Sequence, residues 1–128
     1  MMTNKFATAS AAAVLALFAF TATAADVQVT CEKRGTRRSR ASVDGSGLVQ
    51  GSYRAVLRSG DGTARTAFVP AIGDEAEFDF DSNPNEVAEG ATAIPANFIV
   101  DGRVRGYLVN TSGKRVTPIV TAICRIRS

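Results

Sequence analysis

Glycine-centred turn signals cut this chain into short alternating segments, and no other feature limits its fold so tightly. Asp44-Gly45-Ser46-Gly47, Gly60-Asp61-Gly62, Ile72-Gly73-Asp74, Asp101-Gly102 and Ser112-Gly113 punctuate the chain after residue 25. In each, Gly supplies positive φ and Asp or Ser bonds back to its own backbone. Between the turns apolar and polar side chains alternate. Nowhere does an apolar stripe recur at three and four residues for long enough to make a helix. The spacing predicts strands over 27–33, 37–43, 51–58, 63–69, 75–81, 97–100, 103–110 and 115–127. The expected fold is therefore all-β, a small antiparallel β-sandwich of about seven to eight strands.

Three local features sharpen this reading. Asp101-Gly102 stands between Ile99-Val100 and Arg103-Val104, the strongest hairpin signal in the chain, because a two-residue Asp-Gly loop fits a type I′ turn. Pro118 interrupts the last apolar run and calls for a bulge or an edge position there, since proline cannot donate to a ladder. The one long irregular segment, residues 82–95, is either functional or a crossover between sheets.

The first 25 residues read differently from the rest. Lys5 closes a short basic start, residues 6–20 carry no charge, and residues 21–25 are the small residues that a signal peptidase needs. We read 1–25 as a secretory signal peptide, cleaved after Ala24 or Ala25, and 26–128 as a single β-sandwich domain. The competing reading of an uncleaved anchor fits less well, because the segment is diluted by Ala and Thr and lacks a basic flank after its apolar run. Nothing later in the chain is long and apolar enough to span a bilayer, so the cleaved protein is expected not to be transmembrane. The expected location is exported, periplasmic or extracellular.

Export gives the two cysteines a role. Cys31 and Cys124 lie near the two ends of the cleaved chain, in a compartment where disulfides persist. Val27, Val29 and Cys31 share one face of an alternating strand, as do Val120, Ala122, Cys124 and Ile126, so both thiols are expected to point into the core and pair. Short strands with first and last joined by a bridge resemble an immunoglobulin-like sandwich in architecture. The core tryptophan of antibody domains is missing here. Bacterial pilus subunits are also exported two-cysteine sandwiches, but their last strand usually carries a penultimate tyrosine, and this chain ends Ile126-Arg127-Ser128.

Composition removes most enzyme chemistry. The chain has no His and no Trp, and its two Met residues are Met1 and Met2. The usual Cys/His zinc sites, His/Met copper sites and His-dependent triads need side chains that are absent. Catalysis would have to rest on carboxylates. Tyr53 and Tyr107 are expected as core or rim aromatics with tethered hydroxyls.

Charge is the remaining lead. Lys33, Arg34, Arg37, Arg38 and Arg40 crowd eight positions, and a Cys31–Cys124 bridge draws Arg125 and Arg127 beside them. Such a patch suits an anionic envelope surface or another exported protein, whereas nucleic acid is disfavoured, as no aromatic side chain interleaves the cluster. The opposite pole is acidic. Glu75, Glu77, Asp79 and Asp81 line the outer face of one strand and call for compensation, from Arg54, Arg58 or Arg65 on a neighbouring strand or from a cation. No cofactor is expected unless calcium binds at Asp79, Asp81, Asn83 and Asn85, where oxygen-bearing side chains alternate. It fails as an EF-hand because Pro84 stands where that loop needs Gly, and Asx-turns account for the same residues.

The function this supports is a noncatalytic exported binding or structural module of a bacterial-type cell envelope or medium. The alternatives are a secreted inhibitor or effector presenting the 82–95 loop, and a small carboxylate-based hydrolase.

Overall fold

The computed structural model describes residues 24–128, so the signal-peptide expectation lies outside the described residues save for Ala24 and Ala25. Ten strands and one short helix follow in the order β1 (Asp26–Arg34), β2 (Arg38–Ser46), β3 (Ser52–Ser59), β4 (Gly62–Arg65), β5 (Val69–Pro70), β6 (Ala76–Asp81), α1 (Pro84–Ala88), β7 (Thr92–Ala93), β8 (Arg103–Asn110), β9 (Val120–Ile123) and β10 (Arg125–Arg127). Sheet I has the order β10-β1-β2-β6-β7, and sheet II has β4-β3-β8-β9 with β5 also on β3. The two sheets face each other as an all-β sandwich. Most ladders are antiparallel, but β10 joins β1 and β7 joins β6 in parallel.

Alternation places the core between the sheets. Val43 and Phe80 from sheet I and Leu57, Val104 and Leu108 from sheet II are all fully buried in one core cluster. Burying each such side chain is worth about 1.5–3 kcal/mol. Two glycines let the sheets close up. A Cβ on Gly45 would stand 2.4 Å from a Leu108 methyl, and one on Gly106 would stand 3.0 Å from Val29 and 3.1 Å from Val43.

Cys31 and Cys124 are bridged, closing 93 residues of chain. The bridge sits where the chain changes sheets: Val120–Ile123 pairs with β8, Cys124 donates its amide to Gly102 at 2.8 Å, and Arg125–Arg127 pairs with β1. The single strand expected over 115–127 is thus two strands in different sheets. In consequence Ile126, expected on the same inward face as Cys124, is exposed.

Other departures have local causes. The strand expected over 63–69 breaks after Arg65, where Thr66 takes over the ladder with its side chain: its amide donates to Ala55 O, and its Oγ1 accepts from Ala55 N at 3.0 Å. Pro118 is accommodated in the same way. Thr117 Oγ1 accepts from Leu108 N at 3.1 Å, so the ladder is bridged by a hydroxyl just before the proline. Residues 97–100 form no strand. Two of their amides are met by serines instead, Ser39 Oγ accepting from Ile99 N and Ser59 Oγ accepting from Val100 N. The Asp101-Gly102 turn does form, with φ of 56° and 65° and Arg103 N donating to Val100 O, as a type I′ turn requires.

The 82–95 segment is pinned rather than free. Asn83 caps α1 by accepting from Asn85 N, β7 adds to the edge of sheet I, and Ile94 is buried before the chain crosses to sheet II.

Candidate functional site

Strand register decides what each outer face displays. On sheet I, β10, β1, β2 and β6 set Arg125 opposite Glu32, Glu32 opposite Arg40, and Arg40 opposite Asp81. That row alternates in sign. At one end of it Arg34 and Arg127 both bond Glu32, at 3.0 and 3.2 Å, and Arg38 grips Asp81. Of the seven residues expected to form an anion-binding patch, Arg34, Arg38 and Arg127 are therefore ion-paired, and Lys33 Nζ donates to Ala96 O at 3.4 Å. Arg37, Arg40 and Arg125 have no ion pair among the described residues. The register does gather the cluster, but acids sit within it.

On the acidic strand Asp81 is paired with Arg38 of β2, whereas Glu77 faces Asp44 and Asp79 faces Ser42; Arg54, Arg58 and Arg65 belong to sheet II. Burial works against ionisation of Asp81. Arg38's hydrogen bonds, the Asn83 amide and the nearby Arg40 outweigh it and hold the carboxyl below the usual carboxylate range. Glu32 is lowered chiefly by its hydrogen bond from Arg34, aided by Arg127 and Arg40. Asp44 behaves oppositely. It stands opposite Glu77, and burial first, then the charges of Glu77 and Asp79, push its pKa up.

Three of the four residues weighed for calcium already use their side-chain oxygens on protein partners. Asp81 Oδ1 accepts from Arg38 and from Asn83 N, Asn83 Oδ1 accepts from Asn85 N, and Asp79 Oδ1 accepts from Ser42. The first two of these contacts to the loop backbone are Asx-type turns. Among the described residues no group of three or more His, Cys, Asp or Glu converges as a metal site would need. Glu77, Asp79, Glu86 and Glu89 rim an open concavity together with Arg40.

Sheet II is the surface that sequence reasoning missed. Arg54 and Arg58 on β3, Arg65 on β4, and Arg103 and Arg105 on β8 all point outward, with Lys114 and Arg115 in the connection that follows. Six of the fourteen Lys and Arg after residue 25, Arg54, Arg58, Arg65, Arg103, Arg105 and Arg115, thus share one side of the molecule. None makes an ion pair among the described residues. The acids in this sheet's turns are Asp61 and Asp101. Val56 is outward yet only 3 % exposed, set between Arg65 on β4 and Tyr107 on β8. Arg54 lies over Phe68 at 4.2 Å from the ring centre, and Arg58 over Tyr107 at 5.9 Å. Tyr53 is in the core with its hydroxyl donating to Val49 O, whereas Tyr107 is half-buried among these cations. Alternation alone placed Arg54 with Arg58, and Arg103 with Arg105, on polar faces. Their assembly depends on β3 pairing with β8 across about fifty residues of sequence, which no short-range pattern encodes.

These features define a disulfide-stapled β-sandwich with one outer face of mixed sign and one cationic outer face. Compared with known proteins, the chain matches no family model, no curated protein and no solved structure.

Proposed function

We propose that this chain is an exported, noncatalytic binding module that docks on anionic material of a cell envelope through the outer face of sheet II. The observation that carries the reading is the sign of that face: six arginines, no acid among the outward residues of β3, β4, β8 and β9, and no ion pair to any of these arginines among the described residues. A one-signed face steers anionic surfaces from a distance and binds them in a salt-dependent way. The signal-like start of the sequence supports export, and the bridged cysteines are compatible with it. On sheet I two of the acids a hydrolase could draw on already have protein partners, Asp81 in Arg38 and Asp79 in Ser42.

The test compares two triple variants of the disulfide-bonded protein on vesicles of anionic and zwitterionic lipid. Changing Arg65, Arg103 and Arg115 to Ser should abolish adsorption to anionic vesicles while leaving the melting temperature nearly unchanged, because exposed charges contribute little to folding. Changing Arg37, Arg40 and Arg125 to Ser should leave adsorption largely intact. The reverse ranking would move the docking surface to sheet I, and salt-independent adsorption would remove the electrostatic basis altogether.

A further inference from the structure

We infer that one cross-strand row of sheet II, Thr63–Arg58–Arg105–Thr121, is a seat for a phosphate monoester group. The inference deepens the docking reading above and rests on it. The register sets Arg58 opposite Thr63 on β4 and opposite Arg105 on β8, and sets Arg105 opposite Thr121 on β9. Four strands therefore present hydroxyl, guanidinium, guanidinium and hydroxyl in one line, and all four side chains are exposed. Directly opposed residues in such a pair have their Cβ atoms about 4.5–5.5 Å apart, and like charges at that distance destabilise a sheet.

The contrast with sheet I gives this juxtaposition its meaning. There the row Arg125–Glu32–Arg40–Asp81 alternates in sign, so each cation has an acid beside it. In sheet II the two cations of the row flank each other, and their outer neighbours are hydroxyls. A face that only kept the protein soluble would gain nothing from setting two arginines directly opposite one another. An anion placed between them turns the repulsion into a two-sided clamp.

Donor geometry selects the anion. A carboxylate has two oxygens in one plane, which a single guanidinium fork satisfies. Two forks and two hydroxyls offer donors from several directions, matching a tetrahedral group with three terminal oxygens and a charge between −1.5 and −2, roughly, at neutral pH. The surface around the row leaves room for the group and what it is attached to. Arg58 and Arg105 together line two adjoining concavities, one bounded by Gly60, Val100 and Asp101 and the other by Tyr107, Val109 and Ile119. Tyr107 beneath Arg58 supports that guanidinium from the second side. No other row of sheet II combines these elements: Arg65 stands opposite Val56, and Arg103 opposite Ile123.

The experiment uses the disulfide-bonded protein and two kinds of probe. Inorganic phosphate and acetate, at matched ionic strength, are titrated into labelled protein while the amide and arginine side-chain resonances are followed. Vesicles containing phosphatidic acid are compared with vesicles carrying the same charge as a carboxylate amphiphile. Phosphate should shift Thr63, Arg58, Arg105 and Thr121 together where acetate does not. Phosphatidate vesicles should bind about tenfold tighter than carboxylate vesicles, the worth of one added charge-assisted hydrogen bond. Arg105→Lys keeps the charge but loses the fork, so it should erase this preference while adsorption to carboxylate vesicles persists. A phosphate response without a vesicle preference assigns the seat to a soluble phosphate source, and a preference assigns it to a lipid headgroup. Equal binding to both vesicle types with no phosphate-specific shifts overturns the seat and leaves the docking reading standing. Failure to bind either vesicle overturns both.

Discussion

Arg38 holds Asp81 through two parallel hydrogen bonds, Nε to Oδ1 at 2.9 Å and Nη2 to Oδ2 at 2.6 Å, fastening the start of β2 to the end of β6. Asp81 is only 4 % exposed and its carboxylate also accepts from Asn83 N, so the pair anchors the crossover that begins there. It takes one cation out of the basic cluster and one acid out of the loop. Both are structural here.

Replacing Arg38 by Leu should therefore destabilise the protein by about 3 kcal/mol, because a buried carboxylate is left without its partner. Arg40→Ser, on the same strand but without an ion pair, should change stability by under about 1 kcal/mol. Denaturant unfolding at neutral pH separates the two. Equal effects would show that the pair does not anchor the crossover. Asp81 and Glu32 are both lowered, so the stability they contribute is present above the ordinary carboxylate range, about pH 4, and is lost as pH falls through their depressed values. Arg38→Leu should flatten that acid limb.

Asp44 predicts the opposite sign. Its pKa is raised, so its ionised form costs stability above that raised value, and the cost is relieved as pH falls through it. Asp44→Asn should raise the melting point at neutral pH, by the equivalent of about 0.5 kcal/mol, since it removes a like charge facing Glu77. The gain should vanish in acid. A gain that persists unchanged below the carboxylate range would assign it to something other than charge.

How much of this was legible in the sequence depended on range. Alternation located β1, β2, β3, β6 and β8 and assigned their faces, because the period of two is a local property. Asp101-Gly102 announced its own turn, since both residues must adopt positive φ. The ends of strands were harder. Thr66 and Thr117 imitate a ladder with their hydroxyls, and nothing in a run such as Arg65-Thr66-Ala67 distinguishes a threonine used that way from one in a strand. Cys31 and Cys124 were readable as a bridge, but the change of sheet at Cys124 was not, because it depends on which neighbour each half of the last segment finds. The cationic face escaped notice for the same reason. Clustered charge along the chain drew attention to Arg34, Arg37, Arg38 and Arg40, while Arg58 and Arg105 became neighbours only through pairing.

The bridge itself closes almost the whole domain. Cys31→Ala should lower stability by about 4–5 kcal/mol on the loop-entropy model, a large part of what a small domain holds. Unfolding of the variant against the oxidised protein measures it directly. A loss below about 1 kcal/mol would mean that the reduced unfolded chain is already restricted.

Thr66 and Thr117 give the last prediction, since they do the same work on opposite sides of one residue pair. Ala55 and Leu108 face each other across β3 and β8, both fully buried. Each turns its amide away from the pair toward a threonine, Ala55 to Thr66 Oγ1 and Leu108 to Thr117 Oγ1, and each hydroxyl in turn donates to the next carbonyl, of Ala67 and Pro118. Thr→Val keeps the shape and deletes the acceptor, leaving a buried N–H unpaired at a cost of about 1–3 kcal/mol per site. Thr→Ser keeps the acceptor and should lose far less. Hydrogen exchange at Ala55 N should accelerate in Thr66→Val, and at Leu108 N in Thr117→Val, each without matching change at the other site. Equal stability of the Val and Ser variants would show that the hydroxyls are passengers and that backbone shape alone sustains both breaks.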